Sequence, residues 1–87
     1  MVKLKPGELM ARLVYVYADV SEPLISYASR AFDVVINIVL ADVEIVAGSM
    51  VGGTVVIFSG PRENINRAID YYKSKDIRVE VLQDAGA

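Results

Sequence analysis

Residues 34–46, VVINIVLADVEIV, hold ten apolar residues in thirteen and constrain the fold more than any other stretch. Valine and isoleucine dominate the run, and such β-branched side chains suit a pleated strand better than a helix. A membrane-spanning helix needs about 20 apolar residues in succession. Asn37, Asp42 and Glu44 interrupt this one. Asp42 and Glu44 are two apart and can share one wet face of a strand. Asn37 has the opposite parity, which sets its amide among valines and isoleucines. A strand apolar on both faces needs cover on both.

Size decides where that cover comes from. At 87 residues the chain has room for one domain with a modest core. Its apolar fraction is 54% and its mean hydropathy +0.41, more apolar surface than so small a domain can bury alone. A partner is therefore expected, most simply a second copy. The net charge of -2 speaks against a general affinity for nucleic-acid backbones or anionic lipid. Cysteine and histidine are both absent. That removes disulfides, thiolate and imidazole metal sites, and catalysis based on either residue. The N-terminal MVKLKPGELM carries charges and Pro-Gly where a signal peptide has an apolar core. A cytoplasmic setting is the expectation.

The rest of the chain alternates between two periods. ARLVYVYA (Ala11–Ala18) reads as a strand, with Leu13, Tyr15 and Tyr17 opposite Arg12, Val14 and Val16. A helix follows, with Ser21 as N-cap, Glu22 and Pro23 in its first turn, a stripe of Leu24, Ala28, Ala31 and Phe32, and a stop at Asp33. After the long strand, AGSMVGG reads as a glycine-rich turn into a further strand, Thr54–Phe58. Pro61 opens a second helix on Ile65, Ala68, Ile69 and Tyr72, and Ile77–Leu82 alternates as a last strand. The order β-α-β-β-α-β predicts an α+β, ferredoxin-like domain at residues 11–82, with two helices on one face of a four-stranded antiparallel sheet. Residues 1–10 read as a linker or flexible arm and 83–87 as a tail. Val14, Val16 and the all-apolar TVVIF leave little polar surface for the open sheet face, which again predicts a homodimer.

Chemistry is sparse. No spacing suggests a nucleophile and its base, so the chain does not read as an enzyme, and no cofactor or metal is expected. Asp42 and Glu44 as a catalytic or metal-binding pair compete with the simpler reading of two solvated side chains near a hairpin end. GSMVGGT lies between two strands and lacks a following Lys-Ser/Thr, unlike a phosphate loop. RNA recognition motifs share the element order but require exposed aromatics and basic surroundings. Only Phe58 is aromatic in GGTVVIFSG, and no Lys or Arg falls between Arg30 and Arg62.

Three collinear stretches, SEPLIS, VINIVLADVEIVAGSMVGGTVVIFSG and AIDYYKSKDIRVEVL, resemble the NIL domain from Ala11 to Leu82. The motif behind the family's name, Asn-Ile-Leu, reads Asn37-Ile38-Val39 here. Pro23-Leu24, Gly48, Gly52 and the closing VEVL also match. NIL domains are the small C-terminal regulatory domains of the ATPase subunit of methionine-import ABC transporters. The resemblance implies an ACT-like ferredoxin fold, a homodimer, and binding of an amino acid, L-methionine or a relative, near the subunit interface. There it would exert feedback control on import, serving an ABC-transporter ATPase domain at the inner face of the membrane. The family's binding asparagine falls on Asn37; Ile38, Ala41 and Val43 are carried over as pocket lining, and Met50 or Gly52 as its closure. A neutral amide can donate to a carboxylate or accept from an ammonium, which suits either end of a zwitterion. The alternative is a structural dimerisation module without a ligand, in which Asn37 satisfies backbone groups or fixes strand register.

Overall fold

The expected alternation of periods becomes six elements in the computed structural model, which describes residues 3–16 and 24–86. They are β1 (Leu9–Val16), α1 (Leu24–Phe32), β2 (Val35–Val46), β3 (Ser49–Ser59), α2 (Arg62–Ser74) and β4 (Arg78–Asp84). The sheet runs β2-β3-β1-β4 and every neighbouring pair is antiparallel. This is the ferredoxin-like α+β arrangement. The expectations for Tyr17, Ala18, Ser21, Glu22 and Pro23 lie outside the described residues.

Both helices cover one face of the sheet. From β1 that face takes Leu9, Ala11 and Leu13, and from β3 it takes Val56 and Phe58. Leu24 and Ala28 of α1 close over them with Ile65, Ala68, Ile69 and Tyr72 of α2, all four of the residues in the expected stripe. Ala31, expected in the α1 stripe, is exposed instead, while Ile25 and Phe32 pack partly buried against the core. Tyr72 is fully buried and donates its hydroxyl to the Leu24 carbonyl at 3.0 Å, tying one helix to the other. Burial pushes that phenol up, with Tyr71 and Tyr15 adding to the effect.

Each helix ends on an aspartate in the left-handed region, Asp33 at φ 52° and Asp76 at φ 60°. Asp is among the few non-glycine residues enriched there. The turn lets the N–H of Val34 reach the Ser29 carbonyl (3.2 Å) and that of Ile77 the Tyr72 carbonyl (3.0 Å), satisfying helix-end acceptors.

Several strands reach beyond their sequence signal. β1 starts at Leu9, two residues before the expected boundary, and β4 extends to Asp84. AGSMVGG is mostly strand: the turn is Ala47-Gly48 alone, with Val46 paired to Ser49. Both turn residues have positive φ, 50° and 82°, the two-residue geometry whose twist matches the flanking strands.

The chain ends are tied down as well. Lys5 donates its backbone N–H to Glu8 Oε1 (2.7 Å), Ser59 donates its hydroxyl to Glu8 Oε2 (2.8 Å), and the Ala85 N–H reaches the Glu8 carbonyl (2.9 Å). Arg62 pairs with Asp84 Oδ1 at 2.8 Å and also reaches the carbonyls of Gly7 and Gly86. The arm and tail expected from the sequence are thus bonded to the domain from Lys5 and up to Gly86.

Two predictions follow from these contacts. Alanine at positive φ is strained by roughly 1 kcal/mol, and asparagine favours that turn position. Ala47→Asn should therefore raise the thermal midpoint by a few degrees in a circular-dichroism melt. The second concerns acid. The Lys5 N–H and then Ser59 hold the Glu8 carboxyl below its ordinary 4.5, and the Gly86 N–H and then Arg62 hold that of Asp84 below 3.8. Folded values below unfolded ones add stability that is complete above pH 4.5 and lost as pH falls through the depressed values. Because both groups are solvent-exposed the effect should be modest, and a Glu8→Gln/Asp84→Asn variant should flatten the acid limb of midpoint against pH.

Candidate functional site

Strand alternation fixes which residues can act together, and β2 breaks that alternation once. Asn37 pairs with Ile57 and Ile38 with Val56, but the next partner of β3, Val55, meets Leu40. Val39 is the extra residue of a β-bulge, and an extra residue inverts the parity of everything beyond it. Val35 and Asn37 therefore share the helix-free face with Leu40, Asp42 and Glu44. The opposite parity expected for Asn37 relative to Asp42 and Glu44 does not survive the bulge.

The remaining candidates gather on the other face. Ile38, Ala41 and Val43 of β2 lie on the helix side, paired with Val56, Thr54 and Gly52 of β3, and Met50 joins them opposite Ile45. The hairpin runs beyond the helices there, leaving Ile38, Val43, Ile45 and Met50 about half exposed or more. Gly52 is buried between Tyr15 and Val43 in the sheet, and Tyr15 and Thr54 share a hydroxyl bond of 3.1 Å beneath this strip. Five of the six candidates thus form one apolar strip, with Asn37 on the reverse of the same hairpin.

Asn37 itself is exposed in the single chain, and among the described residues its side-chain amide meets no hydrogen-bond partner. Beside it on the helix-free face, Val55 and Ile57 are only 8% exposed although no helix covers them. Their flanking neighbours in the ladder, Arg12 and Leu40 around Val55 and Met10 and Asn37 around Ile57, provide the shield. At the centre of the open face these two residues are thus already buried within one chain. Exposure concentrates on β2.

A shallow depression of about 170 Å³ lies on this face, lined by Arg12, Val14, Leu40, Asp42, Glu44, Val51, Gly53 and Val55. Gly53 keeps its floor low: a Cβ there would come within 2.9 Å of Asp42 Oδ1. Arg12 stands on one side and the two carboxylates on the other. Sequence reading missed that Arg12 shares a face with Asp42, because the bulge that sets that face leaves no local signal. Among the described residues no three potential metal ligands converge, and no helix is long and apolar enough to cross a membrane.

Comparison with known proteins places this geometry. The NIL domain family matches residues 9–81. The methionine import ATP-binding protein MetN of Geobacillus kaustophilus is 35% identical over 80 residues, covering 92% of this chain and 23% of that protein. MetN of Vibrio vulnificus strain CMCP6 is 33% identical, with 93% and 25% covered. The chain spans about a quarter of the length of these curated relatives. The crystal structure of the C-terminal domain of an ABC transporter ATP-binding protein from Enterococcus faecalis superposes with a TM-score of 0.72 at 21% identity. It covers 85% of this chain and 82% of that one, and it shows the same fold.

The bulge can be tested directly. Deleting Val39 leaves Ile38 on Val56 and Leu40 on Val55, so it should close the bulge into a regular ladder and keep residues 35–38 on their present faces. Asn37 would stay on the helix-free face and Ile36 on the helix side. The deletion variant should therefore stay folded, with a thermal midpoint within about 5 °C of the parent in a circular-dichroism melt. A larger fall would mean that Val39 is not the extra residue.

Proposed function

The chain belongs to the NIL domain family, and on that premise we propose that it is a non-catalytic regulatory module that binds an amino acid at a homodimer interface. L-methionine or a close relative is the ligand, because the curated relatives are methionine import proteins. The observation that carries the reading is the Asn37 amide, unpartnered among the described residues and set in the Asn37-Ile38-Val39 motif on an edge of apolar surface. An exposed amide on such a surface can hold one polar end of a zwitterion. Ile38, Ala41, Val43, Met50 and Gly52 offer an apolar strip on the same hairpin for the ligand's stem. The split between the two faces of one chain is reconciled if a second copy brings one of the faces to the other.

In the cell the module would serve the ATP-binding subunit of an ABC importer on the cytoplasmic side, weakening import when its ligand is abundant. Ligand binding at a subunit seam makes affinity and dimer geometry interdependent, which regulation requires. The second reading, a ligand-free dimerisation module, is favoured by the same exposed apolar edge and makes no use of the amide.

Titration calorimetry separates the two. Methionine and a panel of other amino acids are added to the purified domain and to Asn37→Ala. The sensing reading expects sub-millimolar binding to the parent that weakens at least tenfold in the variant. An absence of heat with every amino acid, alongside an intact dimer, would leave the dimerisation reading.

A further inference from the structure

We propose that the depression on the helix-free face is a binding site for a basic amino acid of the lysine or ornithine type, held by Arg12, Asp42 and Glu44. The site is separate from the one proposed around Asn37. That residue does not line the depression, and it stands two ladder rows from Asp42, about 13 Å along β2.

Two features of the depression have no account in the fold itself. The first is Gly53, which sits inside β3, paired to Val14 on one side and to Asp42 on the other. Its φ is not positive, so neither a turn nor a left-handed backbone calls for glycine there. Glycine weakens a strand interior and often marks a place where a ligand approaches the backbone closely. A Cβ at this position would stand 2.9 Å from Asp42 Oδ1 and fill the floor. The second is the set of charges. Across the ladder from Arg12 lies Glu80, but that carboxylate is engaged by Arg78, with Nε 3.3 Å from Oε1. Among the described residues Arg12, Asp42 and Glu44 form no ion pair or side-chain hydrogen bond, although all three line one depression.

The ladder orders these charges. Arg12 shares a cross-strand row with Val55 and Leu40, Asp42 the next row with Gly53 and Val14, and Glu44 the row after with Val51 and Val16. Successive rows on one face are about 7 Å apart. The sequence positive, negative, negative is the inverse of a basic amino acid read from carboxylate through α-ammonium to side-chain ammonium. The two nitrogens of lysine are six bonds apart and those of ornithine five, an extended span of roughly 6 to 7 Å that matches the Asp42–Glu44 spacing. The ligand's carboxylate then faces Arg12, whose planar fork suits it, and the methylene stem crosses Gly53 onto Val14 and Val51.

Charge and size agree with that pose. One guanidinium against two carboxylates leaves the site a single negative charge, which a basic amino acid offsets. A neutral zwitterion leaves one carboxylate unmatched. At about 170 Å³ the depression is smaller than the roughly 300–1,000 Å³ of pockets for drug-sized ligands, a size that fits one amino acid.

Nuclear magnetic resonance on the isotopically labelled chain locates the site and measures its affinity together. L-Lysine added at low ionic strength should shift the backbone amides of Arg12, Asp42, Glu44 and Gly53 and leave that of Asn37 in place. L-Norleucine lacks the side-chain ammonium and cadaverine lacks the carboxylate. Each should bind about two- to fivefold more weakly, the effect of one exposed ion pair. Arg12→Gln should weaken lysine to the same extent without affecting cadaverine, and Glu44→Gln should weaken lysine without affecting norleucine. Gly53→Val, checked as folded by circular dichroism, should remove the response to lysine. Equal affinity for lysine and norleucine, shifts centred on Asn37, or an Arg12→Gln variant that binds lysine like the parent would each overturn the site. A parent that shows no shift with lysine overturns it too, and leaves the sensing reading, which rests on Asn37 and methionine, to the calorimetric result.

Discussion

Because side chains along a strand alternate with a period of two, the extra residue at Val39 determines which half of β2 faces which neighbour. Were Val39 paired in a regular ladder, Asn37 would lie on the helix side with Asp42 and Glu44 behind it. With it, the three polar residues of an otherwise apolar strand share one face and leave the helix-side strip entirely apolar. The position of the bulge also matters for packing. Ile36 precedes it and is partly buried against the core, whereas Val43 and Ile45 follow it and project past the helices.

β3 holds the two parts together. It is paired along both edges, with β2 on one side and β1 on the other, and five successive residues, Thr54–Phe58, are buried. Its helix-side residues Val56 and Phe58 belong to the same buried cluster as Tyr72 and Ile65, and its opposite residues Val55 and Ile57 are buried as well. At roughly 25 cal/mol per Å² of apolar surface removed from water, burial on both faces makes this strand a principal anchor of the domain. The hairpin tip beyond Thr54 has no such anchor.

The sequence made the fold legible wherever burial imposes a period. The α2 stripe is complete because Ile65, Ala68, Ile69 and Tyr72 all meet the sheet, and the element order followed from the same signal. It misled at Ala31, a small residue as compatible with solvent as with a core. It also shortened β3, since Gly52 and Gly53 read as turn although they lie in the ladder with Tyr15 and Val14. Chain ends were legible only as polar and short, because the bonds around Arg62 and Glu8 join residues far apart in sequence. The site was partly legible. Asn37 stood out as an amide in an apolar run, but its parity relative to Asp42 and Glu44 was misread, because a bulge is one residue of ordinary composition and declares itself only through the register of its partner.

That division between an anchored core and a projecting hairpin has a consequence for regulation. The tip of β2 and β3 is held by ladder hydrogen bonds and not by the helix-covered core, which places it at the low end of local stability. Elements that respond to binding come from that end, since a ligand or partner can shift only a conformational equilibrium whose states lie within its differential binding energy. Ordering the hairpin would leave the Tyr72–Leu24 bond and the packing around Phe58 intact. A signal received at the edge could therefore be transmitted as a change in how two copies are joined, without disturbance of the core that keeps each one folded.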